Sequence, residues 1–196
     1  MRLFTANKGK LSGLLPMVFL LGCSYSAQQF YMLEAPVAVT PMPNSNLAKT
    51  TQIGLGPIHM PDYLNRPQMV IAVGEHQYRF DDKNRWAEHL EQNVSRVLTQ
   101  QLAGLLGVEQ ILRYPWSQRQ LIDYQIVLDI LSFHHTAGKG VELKAQWQIR
   151  KADQLLKSQQ FECQLANSDA PESIVASQSQ CLTQLAEQIH PNLLAK

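Results

Sequence analysis

The sequence predicts an α+β fold: a two-layer domain with a mainly antiparallel sheet packed against two helices. Three observations carry this. Segments with strand and helix character follow in the order strands, helix, strands, helix, which favours two packed layers over a doubly wound sheet. Val141, Leu143, Ala145, Trp147 and Ile149 alternate with Glu142, Lys144, Gln146, Gln148 and Arg150, so one face of that strand packs and the other meets water. Apolar residues at spacings of three and four run from Trp86 to Leu105 and from Ile174 to Ile189, giving each helix a face to bury.

Taken in order, Gln28 to Leu33 reads as a first strand. Residues 35–50 hold Pro36, Pro41 and Pro43 among Asn, Ser and Thr, and read as a loop. Thr51 to His59 is a second strand, interrupted by Gly54, Gly56 and Pro57 and therefore expected at an edge or bulged. Met69–Val73 and His76–Phe80 flank Gly74-Glu75, a two-residue hairpin signal. Asp81 or Asp82 then caps a helix to Leu106, closed by Gly107, and its apolar stripe begins at Trp86. Arg85-Trp86 reads as a core Trp beside a solvated Arg, with a binding patch as the alternative. Further strands follow at Gln110–Tyr114, Leu121–Phe133, Val141–Arg150 and Leu155–Leu165, and a helix from Pro171 to His190 ends the chain. No internal repeat is visible.

The amino terminus decides the compartment. Arg2, Lys8 and Lys10 precede a mostly apolar run from Leu11 to Leu21, and no acidic residue appears before Glu34. This is the basic and apolar order of a secretory signal, too short for an ordinary bilayer span. It ends in Leu20-Leu21-Gly22-Cys23, which resembles a bacterial lipobox, so Cys23 is the expected lipidation site. Residues 1–22 are then the signal peptide, 23–27 a lipidated tether and 28–196 one periplasmic domain. Ser24 follows the lipidated position, where Asp would favour inner-membrane retention, so the expectation is the outer membrane. The four residues from Ser24 to Ala27 span only about 14 Å fully extended, which keeps the domain close to its membrane.

The chain has 196 residues and a formal net charge of +1. Removing Arg2, Lys8 and Lys10 with the signal leaves 14 basic against 16 acidic residues, a charge of −2. Neither balance suits a nucleic-acid binder, so none is expected as a partner. Lipid on Cys23 leaves Cys163 and Cys181 as the remaining pair in an oxidising space. Cys181 falls on the apolar face of its helix, and Cys163 shares a strand side with Phe161. A Cys163–Cys181 disulfide is expected, with two buried free thiols as the alternative.

Catalytic signatures are missing. There is no H-E-x-x-H, no G-x-S-x-G, no Walker loop and no G-x-G-x-x-G opening a helix. His134-His135 would point to opposite faces of a strand and so could not share one metal, and they read as a polar strand end. His59, His76, His89 and His190 stand alone in the sequence. No enzyme activity, cofactor or metal is expected.

Two segments carry a family resemblance. Ile53-Gly54-Leu55-Gly56-Pro57-Ile58-His59-Met60-Pro61-Asp62-Tyr63-Leu64-Asn65-Arg66-Pro67-Gln68-Met69-Val70 resembles the GxGPVxxPxYLxRPQIV stretch of the ABC-type transport auxiliary lipoproteins. Arg85-Trp86-Ala87-Glu88-His89-Leu90 is similar to that family's R-W-A-E-P-L segment, departing from it at His89. Tyr114-Pro115-Trp116 and the Leu143–Trp147 strand also fit, so the resemblance spans roughly residues 28–190. It implies an accessory subunit of a lipid-trafficking system between inner and outer membranes, whose partner is a periplasmic mammalian-cell-entry (MCE) domain protein. ATP hydrolysis would belong to other subunits. The proline-framed segment 57–67 then offers Tyr63, Leu64 and Arg66 as a partner-docking surface, or else a structural corner in which Tyr63 and Leu64 fill the core. Ring-shaped MCE partners also fit a homo-oligomer. The rivals are a lipoprotein that binds lipid alone and one that assists outer-membrane protein assembly.

Overall fold

The two longest pairings of the sheet form where the alternation is strongest. β6 (Tyr124–Thr136) pairs antiparallel with β7 (Gly140–Lys151), and β7 pairs antiparallel with β8 (Gln154–Leu165). The computed structural model describes residues 27–35, 51–117, 120–152, 154–166 and 168–194. The expected signal peptide, Cys23, Ser24 and residues 36–50, expected as a loop, lie outside the described residues.

The other edge of β6 is shared by two strands, both parallel to it. β2 (Ile53–His59) runs along its first half and β3 (Gln68–Gly74) meets its last residues. A 3-10 turn at Asp62–Leu64 joins β2 to β3, so the chain continues onward instead of folding back. β3 pairs antiparallel with β4 (Gln77–Trp86), β4 pairs parallel with β1 (Gln29–Tyr31), and short β5 (Leu112–Arg113) pairs parallel with β2. The fold is α+β as expected, and its eight-stranded sheet is mixed. The longest pairings, β6 with β7, β7 with β8 and β3 with β4, are antiparallel, while the shorter ones of β1, β2 and β5 and the contact of β3 with β6 are parallel. The physical reason is that β2 and β3 follow each other along one edge of β6.

One local expectation is resolved, with β2 bulged rather than at an edge, and two change. β2 is interior, between β6 and β5, and its interruption is a bulge between Leu55 and Ile58. The hairpin turn is Glu75–His76, one residue later than expected, with Gly74 paired to Gln77. Asp81 does not start a helix. Its Oδ1 accepts the backbone N–H groups of Lys83 and Asn84, and its Oδ2 accepts Asn84 Nδ2. That capping geometry closes a bulge in β4, where Asp81 pairs with Met69 and Arg85 with Gln68. α1 starts later, at Leu90, and ends at Leu106. Trp86 is buried from the strand rather than from the helix.

α1 packs against β2 and β5, α2 (Pro171–Leu194) packs against β6, β7 and β8, and the helices touch each other. Val94, Val97, Leu98 and Leu102 meet Leu182, Leu185 and Ile189 in one core with Ile126, Leu128 and Trp147. Each fully buried Leu or Ile there contributes about 1.5–3 kcal/mol relative to exposure. Trp147 satisfies its indole N–H on Gln188 Oε1 at 3.0 Å, pinning α2 to β7. Beyond β1, buried Asn93 accepts the Leu33 N–H at 2.6 Å and donates to its carbonyl at 3.2 Å. Arg96, paired with Glu88, donates to the same carbonyl. These bonds tie the segment after the expected lipid anchor to α1.

Candidate functional site

Because strand side chains alternate, the sheet presents a second face away from the helices. Register places Gln125, Asp129, Ser132 and His134 of β6 on it, beside Gln146, Lys144 and Glu142 of β7. The turn after β2 brings Tyr63 over this face, and β4 adds Tyr78. The Tyr63 and Tyr78 rings lie 5.1 Å apart, and both meet the His134 ring edge-on. Tyr63 Oη and His134 Nδ1 are 3.2 Å apart. An open cavity of about 590 Å³ lies above them, bounded also by Leu131, Glu142 and Lys144.

Burial governs the ionisation of this cluster. It pushes the Tyr63 phenol up to about 12 and holds His134 below the ordinary imidazole range. For Glu142 burial works upward, but hydrogen bonds from Lys144 and Ser132 prevail and keep its carboxyl below the usual range. Lys144 Nζ stands 3.0 Å from Glu142 and 3.5 Å from Glu162, and the bond to Glu142 raises the ammonium. A neutral imidazole, a neutral phenol and one lysine between two carboxylates, an excess of one negative charge, make a surface suited to polar and aromatic contact.

The expected site residues divide. Leu64 turns into the core, Tyr63 is half-buried in the aromatic cluster, and Arg66 stacks over the Phe80 ring at 4.0 Å. Cys163 and Cys181 are joined by a disulfide, with Cα atoms 5.7 Å apart, clamping α2 to β8. Cys23 lies outside the described residues. His134 and His135 do face opposite sides, but both are buried rather than at an open strand end. His135 Nε2 meets Asp169 at 2.7 Å on the helix side. The sequence reading missed Tyr78 and His134 as partners of Tyr63. The alternation of Tyr78 with Phe80 was the available signal for Tyr78. Among the described residues no cluster of His, Cys, Asp and Glu is placed to hold a metal, and no helix is long and apolar enough to cross a membrane.

Two further features bear on partners. A second open groove, of about 620 Å³, runs between β1 and α2. It is lined by Met32, Ala35, Val175 and Ala176, with Glu34 and Glu172 at its rim. The glycines of the 53–70 stretch have a steric cause. A Cβ at Gly54 would come within 2.8 Å of the Trp116 ring, and one at Gly56 within 2.4 Å of Tyr114 Cβ. Gly56 also has φ +125°, so Tyr114-Pro115-Trp116 packs on β2 only because both positions lack side chains.

Similar proteins extend the picture. No curated protein matches the chain. A crystal structure of an uncharacterized protein superposes with a TM-score of 0.70 at 19% identity, covering 85% of this chain and 99% of that one. A DUF330-family protein from Xanthomonas campestris superposes with a TM-score of 0.67 at 14% identity, covering 82% and 92%. At such identities the likeness is one of fold. The family model described as the ABC-type transport auxiliary lipoprotein component matches residues 31–190, from β1 to the last turns of α2, and the chain belongs to that family.

Proposed function

We propose that this protein is an outer-membrane-anchored periplasmic lipoprotein, acylated at Cys23, that serves as the accessory subunit of an MCE-type lipid transport system. The observation that carries the reading is the family match over residues 31–190, joined to the lipobox at Leu20–Cys23. The protein acts by binding rather than by catalysis and needs no cofactor. Its partner is a periplasmic MCE-domain protein, which docks on the Tyr63–Tyr78–His134 surface while Leu64 holds the docking loop from the core. Energy for transport comes from other subunits.

Co-purification tests this. The detergent-solubilised, acylated protein should bring down an MCE-domain protein, and Tyr63→Ala should weaken that capture. A β-barrel protein recovered in its place would sink the proposal. A second reading, a lipoprotein that binds lipid without an MCE partner, draws on the apolar groove between β1 and α2. Stoichiometric lipid in the purified sample with no MCE protein would favour it.

A further inference from the structure

The two surfaces flanking β1 differ in chemistry. On the helix side is the groove of Met32, Val175 and Ala176, rimmed by Glu34 and Glu172. On the other face, Phe30 is in register with Arg85, and Arg85 with Gln68. Phe80 lies further along the same face of β4 and carries the Arg66 guanidinium over its ring. Phe30 is 61% exposed and Phe80 37%, a high exposure for two aromatic rings. Arg85 has Asp82 at 3.7 Å, and exposed Lys83 stands beside it in sequence. Arg66 has no carboxylate within ion-pair distance among the described residues, and its Nε is buried without a hydrogen-bond partner.

We infer that Phe30, Phe80, Arg66 and Arg85 seat the domain on the headgroup layer of the membrane that holds its own lipid anchor. The inference rests on the acylation of Cys23 proposed above. Chain length supplies the first reason: Cys23 to Gln29 is six residue steps, about 20–22 Å fully extended, so the start of β1 cannot leave the membrane surface by more than that. The second reason is composition. Aromatic rings beside arginines match the boundary between acyl chains and phosphates, where a ring finds a partly apolar medium and a guanidinium finds phosphate oxygens. Charge then chooses between the two surfaces. The acidic rim of the groove repels lipid phosphates, whereas Arg66 attracts them, with Arg85 sharing its charge between Asp82 and the headgroups. Arg66 in particular has no carboxylate partner among the described residues.

The test uses the full acylated protein in vesicles of phosphatidylethanolamine and phosphatidylglycerol, spin-labelled at Phe30→Cys, Phe80→Cys or, at the exposed wall of the groove, Ala176→Cys. Labels at 30 and 80 should be reached by bilayer-dissolved oxygen and shielded from an aqueous nickel complex. Their oxygen-to-nickel accessibility ratio should exceed that of the label at 176 several-fold. Arg66→Glu with Arg85→Glu should collapse that ratio while the acyl chains keep the protein on the vesicles. Labels at 30 and 80 as water-exposed as that at 176, on protein shown by mass spectrometry to be acylated, would overturn the seat alone. Absence of acylation would overturn the anchor and the seat together. Shielding that vanishes on diluting the protein at constant lipid would assign the patch to a second copy instead.

Discussion

Single residues on the outer face set how the protein responds to pH. Burial holds His134 below the ordinary imidazole range, so the unfolded chain takes up its proton more readily than the folded one. The stability this contributes is present above about pH 6.5 and is lost as pH falls from there through the folded value. His134→Gln should flatten the fall in the urea midpoint between about pH 7 and pH 5, leaving the carboxylate-driven fall at lower pH in place; an unchanged slope would remove His134 from that role. Tyr63 has the opposite sign. Its phenol is raised to about 12, so its contribution is present below about pH 10 and lost as pH rises through the folded value. Gly56→Ala forces a side chain into φ +125° against Tyr114. The backbone alone should cost about 1–3 kcal/mol, read as a lowered melting temperature. Gly54→Ala should cost less, since the Trp116 ring it meets can shift whereas Gly56 sits in a disallowed backbone region for Ala.

At the scale of elements, one carboxylate decided where a helix begins. Asp81, followed by a stripe of apolar residues from Trp86, has the composition of a helix start, but its oxygens close a strand bulge. Both structures need a short acidic side chain accepting N–H groups two and three residues on, so local chemistry could not separate them. Pairing with β3 did. The opposite happened at the end of the chain, where the helical spacing of Cys181 and the strand parity of Cys163 with Phe161 were enough to bring the two sulfurs together. The bond closes a loop of 18 residues and should contribute about 3 kcal/mol in the chain-entropy model. Cys163→Ala with Cys181→Ala should therefore lower the melting temperature by several degrees and leave partner capture at 25 °C intact. Loss of capture by well-folded variant would show that α2 takes part in docking.

For the whole molecule, position in the envelope is the property to test. Cys23→Ala should abolish acylation and remove the protein from the outer-membrane fraction, and unchanged fractionation would reject the lipoprotein reading. Ser24→Asp should move the protein toward the inner membrane without changing its melting temperature. Both outcomes are read by sucrose-gradient fractionation with an immunoblot.

What the sequence determined by itself was whatever depends on local periodicity and short-range order. The α+β class, the β7 alternation between Val141 and Arg150, α2 from Pro171 and the cysteine pairing were all legible, because strand parity and helical spacing are written in consecutive residues. So was the family, since the 53–70 stretch is continuous in the chain. What only the tertiary structure decided was which strands neighbour one another. The mixed sheet, the interior place of β2 and the Tyr63–Tyr78–His134 cluster all join residues far apart in sequence. Such pairings are settled by how β2 and β3 share one edge of β6, and by two glycines that admit Tyr114 and Trp116. No window along the chain contains both sides of those contacts.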